Sequence, residues 1–117
     1  GNYPYKNYWA LPGGFFEKTD PDLHYGAQRE LAEETGIILD PNDFEQIKTY
    51  GHDFDPRMKI VDVAFSVRVP KGKMDDAKGA DDAAEARWFS VHDLPKLAFH
   101  HADIINDWAN KTGRWDG

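Results

Sequence analysis

Cysteine is absent from the 117 residues, which removes thiol nucleophiles, disulfides and thiolate metal sites together. Long apolar runs are missing too. The longest, residues 8–11, falls far short of the roughly 20 residues a membrane helix needs, and what precedes it does not read as a leader. Positive charge is also scarce, with 14 Lys and Arg against 21 Asp and Glu and a formal net charge of −7. Broad electrostatic binding to nucleic acid or to a membrane surface needs the opposite surplus, so neither is expected as a partner. An anionic small molecule stays compatible if cations sit between its charges and the protein's carboxylates, which makes a metal ion more necessary. At 40% hydrophobic and 14% aromatic content, the composition suits one compact domain over 1–117. With no thiols, an intracellular and by default cytoplasmic home is the expectation.

No internal repeat is visible. The one biased stretch, 71–85, is rich in Lys, Gly, Ala and Asp and reads as a mobile connection. Residues 8–11 form a short strand candidate that stops at Pro12-Gly13-Gly14. A loop then leads to a helix predicted over 21–35, with Asp20 as cap, Pro21 in its first position and Gly36 ending it. After a turn at Pro41-Asn42-Asp43, strands are predicted at 44–50 and 59–69, and a further one at 84–89. In 59–69, Val61, Val63, Phe65, Val67 and Val69 share one face, as expected of a strand with one well-buried side. Ile104, Ile105, Trp108 and Ala109, followed by Gly113, mark an amphipathic helix over 100–111. Strands interleaved with two helices give a domain of the α+β type.

The first helix conflicts with local energetics. Leu23, Ala27 and Leu31 make its apolar stripe. With Leu23 at zero, Glu30 projects at roughly −20°, Glu34 at roughly +20° and Glu33 at roughly −80°, so two carboxylates point along the buried direction. All three lie in the last turns, where the helix dipole disfavours anions, and their spacing of three and four residues brings like charges together. A run of glutamates is ordinarily a solvated face; the helical phase favours a functional cluster, whose missing stability something else supplies. Three hard oxygen donors suit Mg²⁺ or Mn²⁺.

Residues 14–37, ending in Arg29-Glu30-Leu31-Ala32-Glu33-Glu34-Thr35-Gly36-Ile37, resemble the Nudix box, G-x5-E-x7-R-E-U-x-E-E-x-G-U with U aliphatic. The second half matches at every fixed position. In the first half, counting forward from Gly14 puts the box's first glutamate on Asp20 and counting back from Arg29 puts it on Pro21, so the chain carries one extra residue; Asp20 is aligned with that glutamate. Trp9-Ala10-Leu11-Pro12-Gly13-Gly14-Phe15, Asp55-Pro56-Arg57, Asp81-Asp82-Ala83 with Arg87-Trp88-Phe89, and Leu97-Ala98-Phe99-His100-His101 are similar to the branch of the family that handles ADP-ribose.

The resemblance implies an α+β fold of the Nudix kind, an α/β/α sandwich with a mixed sheet, here lacking N-terminal strand material that the family has upstream of Trp9. It implies metal-dependent hydrolysis of a nucleoside diphosphate linked to another moiety, with ADP-ribose yielding AMP and ribose 5-phosphate as the leading reaction. A nucleoside triphosphate pyrophosphatase and a non-catalytic ADP-ribose-binding sensor are the alternatives. Glu30, Glu33 and Glu34 would be metal ligands, joined by the Gly14 carbonyl, with Arg29 orienting them through charge-assisted hydrogen bonds. The general base would be Glu30 or Glu33 or, in a later loop, Asp81, Asp82 or Glu85. Arg57 would contact a phosphate, Phe15 or Phe16 a base or ribose, and His100 or His101 the substrate. For each of these a purely structural role is the competing reading. A homodimer is a further expectation from the resemblance.

Overall fold

The structure, a computed structural model, describes residues 9–13, 16–55, 58–74 and 86–113, and of residues 52–55 and 58–60 the backbone alone. Its elements are α1 (Leu23–Thr35), a 3-10 turn at Pro41–Asp43, β1 (Glu45–Asp55), β2 (Met58–Ser66), the single turn α2 (Lys71–Met74) and α3 (His101–Thr112). Strands β1 and β2 pair as an antiparallel hairpin, and a parallel bridge joins Trp9 to Leu97. The chain is thus α+β. It divides into two compact units, one of Pro12–Gln46 and Phe65–Trp88, the other of Gly1–Leu11, Ile47–Ala64 and Phe89–Gly117.

In the first unit α1 begins two residues later than the sequence predicts. Its cap is Asp22, in extended backbone, whose Oδ1 accepts the Tyr25 N–H at 2.8 Å. Asp20 cannot cap because its carboxylate is bound elsewhere, by Arg29. At the other end Gly36 takes the left-handed conformation (φ 83°) and donates to the Ala32 carbonyl, as a helix C-cap requires. Thr35, buried, fastens the exit: its hydroxyl donates to the Leu31 carbonyl at 2.7 Å and accepts the Ile37 N–H at 3.1 Å.

The chain leaves α1 extended, so side chains alternate: Ile37 and Leu39 turn inward while Ile38 stays 65% exposed. Ile37, Leu39 and Phe44 form the buried core, and Ala27 and Leu31 of α1 pack on it with Phe65, Val67 and Val69. Leu23, the first residue of the predicted stripe, is left exposed. The 71–85 stretch opens as the helical turn α2, where Lys73 donates to the Ile38 carbonyl at 2.8 Å and the Trp88 indole to the Met74 carbonyl at 2.9 Å.

Strand β1 runs five residues beyond its predicted end at Tyr50, carried past Gly51 by pairing with β2. Strand β2 stops at Ser66, and the predicted buried face is only partly so: Val61 is 67% exposed. Of the strand predicted over 8–11, residues 9–11 contribute a bridge at Trp9 rather than a strand, and Ala86 to Ser90 carry no strand; 8, 84 and 85 lie outside the described residues.

In the second unit Trp9 donates to the Lys96 carbonyl and accepts from the Ala98 N–H, each at 2.8 Å. Its ring meets Phe89 edge-on, centroids 5.0 Å apart. Helix α3 buries Ile104 and Ala109 and ends on left-handed Gly113. Just before it, Phe99 holds φ 53°, the sole positive φ of a non-glycine among the described residues. That conformation costs an L-residue about 1–2 kcal/mol.

Candidate functional site

Arg29 is the hub of the helix surface. Its Nε and Nη2 reach Asp20 Oδ1 and Oδ2 at 2.9 and 3.0 Å, a two-pronged bond to a carboxylate with no exposed side-chain surface. The same guanidinium binds Glu33 through Nη1 at 2.8 Å and Glu30 through Nη2 at 3.0 Å, and lies 3.3 Å from Glu17. Asp20 in turn accepts the Glu17 N–H at 2.9 Å and donates its own N–H to the Glu17 carbonyl, closing the loop ahead of α1. The Arg29 hydrogen bonds and the Glu17 N–H hold the Asp20 carboxyl below the usual range. Arg29 is pushed above its already high value, chiefly by Asp20, and stays a permanent cation. The residue aligned with the box's first glutamate is therefore an anchor for the arginine that orders the others.

The three glutamates differ as their helical phases require. Glu30 has 16% of its side chain exposed, Glu33 46%, and Glu34 is partly buried. Glu34 accepts the Gly13 N–H at 2.7 Å, latching the Pro12-Gly13 turn to the end of α1. Burial raises the Glu34 carboxyl above its ordinary range; the Gly13 N–H works against this, and the neighbouring Glu30 and Glu33 charges reinforce it. These bonds take one oxygen of each carboxylate. Among the described residues no three Asp, Glu or His side chains are drawn together as a closed metal cage. The donor set nevertheless fits a hard divalent cation, because such a cation would offset the burial and the neighbouring negative charges that act on the Glu34 carboxylate.

Of the other predicted site residues, Gly14, Phe15, Arg57, Asp81, Asp82 and Glu85 lie outside the described residues. Phe16 is 56% exposed. His100 and His101 belong to the second unit and there have structural partners. His101 Nδ1 accepts the Leu11 N–H at 3.0 Å. The His100 ring, with 11% of its side chain exposed, places Nε2 3.3 Å from Asp62 and lies 5.1 Å from the Tyr50 ring. Tyr50 donates to Asp107 at 2.5 Å, and burial and that carboxylate push its hydroxyl above the ordinary range. The Asp20 to Arg29 contact was foreshadowed only by the box alignment. Nothing in the local pattern announced the Glu34 to Gly13 latch.

An arginine pinned by an acid upstream and ordering a Glu-x-x-Glu-Glu helix behind a Gly-containing turn is the arrangement of a Nudix motif. The NUDIX domain model matches residues 2–108, and the chain belongs to the Nudix family. It is 40% identical over 108 residues to a protein of Methanocaldococcus jannaschii named ADP-ribose pyrophosphatase, covering 92% of this chain and 60% of that one. It is 35% identical over 109 residues to the ADPR responsive transcriptional repressor NtrR of Acinetobacter baylyi, covering 89% of this chain and 42% of the repressor. Two solved structures share the fold at 26% identity, each over 95% of this chain. One is a MutT/nudix family protein from Enterococcus faecalis (TM-score 0.77, 51% of that chain). The other is the NUDIX domain of Shewanella oneidensis NrtR complexed with ADP ribose (TM-score 0.74, 72% of that chain). The chain thus spans 60% and 42% of the lengths of these two relatives. No described helix is long and apolar enough to cross a membrane.

Proposed function

We propose that this chain, acting as one domain over 1–117 in the cytoplasm, hydrolyses ADP-ribose with one water to AMP and ribose 5-phosphate. The observation that carries the reading is the ordered glutamate helix, with Arg29 tied to Asp20 and presenting Glu30 and Glu33 beside the partly buried Glu34. The relative named ADP-ribose pyrophosphatase supports the substrate. Glu30, Glu33 and Glu34, with the Gly14 carbonyl, would hold Mg²⁺ or Mn²⁺. Bound there, the cation would neutralise phosphate oxygens and acidify the attacking water.

The protein's own part is positional. Arg29 cannot act as an acid or base, since it keeps its proton; it fixes the carboxylates so that little reorganisation is needed when substrate arrives. The Glu34 to Gly13 bond holds the Pro12-Gly13 turn against the end of the helix. Glu30 or Glu33 would accept the proton from water, each being within one helical turn of the others. A homodimer is part of the proposal by family likeness alone.

A second reading, a sensor that binds ADP-ribose without turnover, is favoured by the likeness to the repressor and to the ADP ribose complex. Incubation with ADP-ribose and nucleoside triphosphates in Mg²⁺ separates the readings. AMP release supports hydrolysis of ADP-ribose, pyrophosphate release points to a triphosphatase, and binding without product to a sensor. In the Glu34→Gln variant we expect turnover to fall at least about 100-fold with the fold intact. Unchanged turnover would sink the metal assignment.

A further inference from the structure

Gly26 is the fourth residue of α1 and is buried there, although glycine is a poor helix former. Its missing side chain leaves a notch in the helix surface, and two residues of the preceding loop fill it. A Cβ at Gly26 would stand 3.2 Å from Asp20 Oδ2, 3.6 Å from Asp20 Cγ and 3.3 Å from Cδ1 of Phe16. The two neighbours differ in how they could respond. Phe16 is 56% exposed, and its ring can swing toward solvent. Asp20 has no exposed side-chain surface, and the oxygen nearest the notch is already bound twice, by the Glu17 N–H at 2.9 Å and by Arg29 Nη2 at 3.0 Å. It can give way only by lengthening those bonds.

Beyond that oxygen lies the glutamate cluster. Arg29 Nη2 is shared between Asp20 Oδ2 and Glu30 Oε1, each at 3.0 Å, and Nη1 of the same guanidinium holds Glu33 at 2.8 Å. The guanidinium is a planar, rigid fork, so a carboxylate pushed away on one edge turns the whole group and the donors that face Glu30 and Glu33. We propose that Gly26 is a positioning residue for the divalent cation: by leaving room for Asp20 against the helix, it sets through Arg29 the placement of Glu30 and Glu33. This rests on the metal reading above, and every link from Gly26 to Glu33 lies within the first unit. Removing a hydrogen-bond partner that stands behind a metal ligand weakens binding by about tenfold to a hundredfold, so a partner displaced but kept belongs at the lower end.

The test titrates Mn²⁺ into the whole chain at fixed, high monovalent salt, read by loss of the free ion's paramagnetic resonance signal, and follows the Arg29 Nε–H of the metal-free chain by NMR. For Gly26→Ala we expect the Kd for Mn²⁺ to rise about tenfold. The Arg29 Nε–H, which donates to Asp20 Oδ1 at 2.9 Å in the parent, should move upfield and exchange faster with water. Gly72→Ala, where a Cβ meets nothing within 4 Å, is the control and should change neither readout. An Asp20→Ala background isolates the route. There Gly26→Ala should alter Mn²⁺ affinity by less than about twofold. It should also raise the melting temperature in that background, since only its helix propensity is left to act. A glycine that merely packs would shift the melting temperature of Gly26→Ala while leaving the Mn²⁺ affinity and the Arg29 signal in place, and that result overturns the proposal. So does an equal loss of Mn²⁺ affinity with and without Asp20. Failure of the parent to bind Mn²⁺ overturns the metal reading and the proposal with it, whereas the other two outcomes leave that reading standing.

Discussion

Asp20 shows how much one carboxylate can organise. Its side chain has no exposed surface, receives two guanidinium bonds and one backbone N–H, and through Arg29 governs two further glutamates. Since its pKa is lowered in the folded chain, the folded state binds fewer protons there than the unfolded state. The stabilisation is therefore fully present above the ordinary aspartate pKa of about 3.9 and is lost as pH falls through the lowered folded value. Urea unfolding from pH 7 to pH 3 should show the parent losing stability below about pH 4, while Asp20→Asn is less stable at pH 7 and flatter in the acid range. Parallel curves would show that the pair contributes nothing pH-dependent. The exposed Glu17 contact with the same guanidinium, at 3.3 Å, serves as control. Its removal should cost no more than about 1 kcal/mol, the ceiling for a solvated ion pair.

At the scale of the element, α1 carries a glycine as its fourth residue that costs helix propensity, and Gly26 has a local reason. A Cβ there would lie 3.2 Å from Asp20 Oδ2 and 3.3 Å from the Phe16 ring, tighter than ordinary contact. Alanine would bring about 1 kcal/mol of helix propensity. Asp20 cannot yield to it without breaking its bonds to Arg29 and Glu17, so overpacking should outweigh the gain and leave Gly26→Ala less stable by about 1 kcal/mol. A raised melting temperature would show that the anchor can shift. The same helix shows what its sequence discloses. Gly36 as terminator and the unequal burial of Glu30 and Glu33 followed from local chemistry and phase. The cap did not, because Asp20 and Asp22 are equivalent locally and only the tertiary bond to Arg29 tells them apart. The Ile37 to Leu39 core segment was missed since three successive apolar residues show no period. Helix α3 was legible in advance to within a residue because its apolar spacing and Gly113 agree. The exposure of Val61 was not, since alternation assigns residues to a face without saying what covers that face.

For the molecule as a whole, charge is the dominant constraint: at −7 overall, it concentrates three carboxylates at the end of a helix whose dipole repels them. A divalent cation that binds only the folded chain must then stabilise it, by RT ln(1 + [L]/Kd), about 2.7 kcal/mol at 100 times Kd. For a domain of this size that corresponds to a melting temperature higher by on the order of 10 °C. Screening of the net charge by salt would also raise it, so the comparison must be made at fixed, high monovalent salt, where the Debye length is only a few ångströms. Under those conditions Mg²⁺ should stabilise the parent, and EDTA should reverse the effect. Glu34→Gln removes one donor along with a carboxyl whose ionised form is already disfavoured by burial. The variant should therefore be no less stable than the parent without metal and should gain little when Mg²⁺ is added. An equal Mg²⁺ shift in parent and variant would mean that the cation binds elsewhere, and the glutamate helix would lose its claim to the metal.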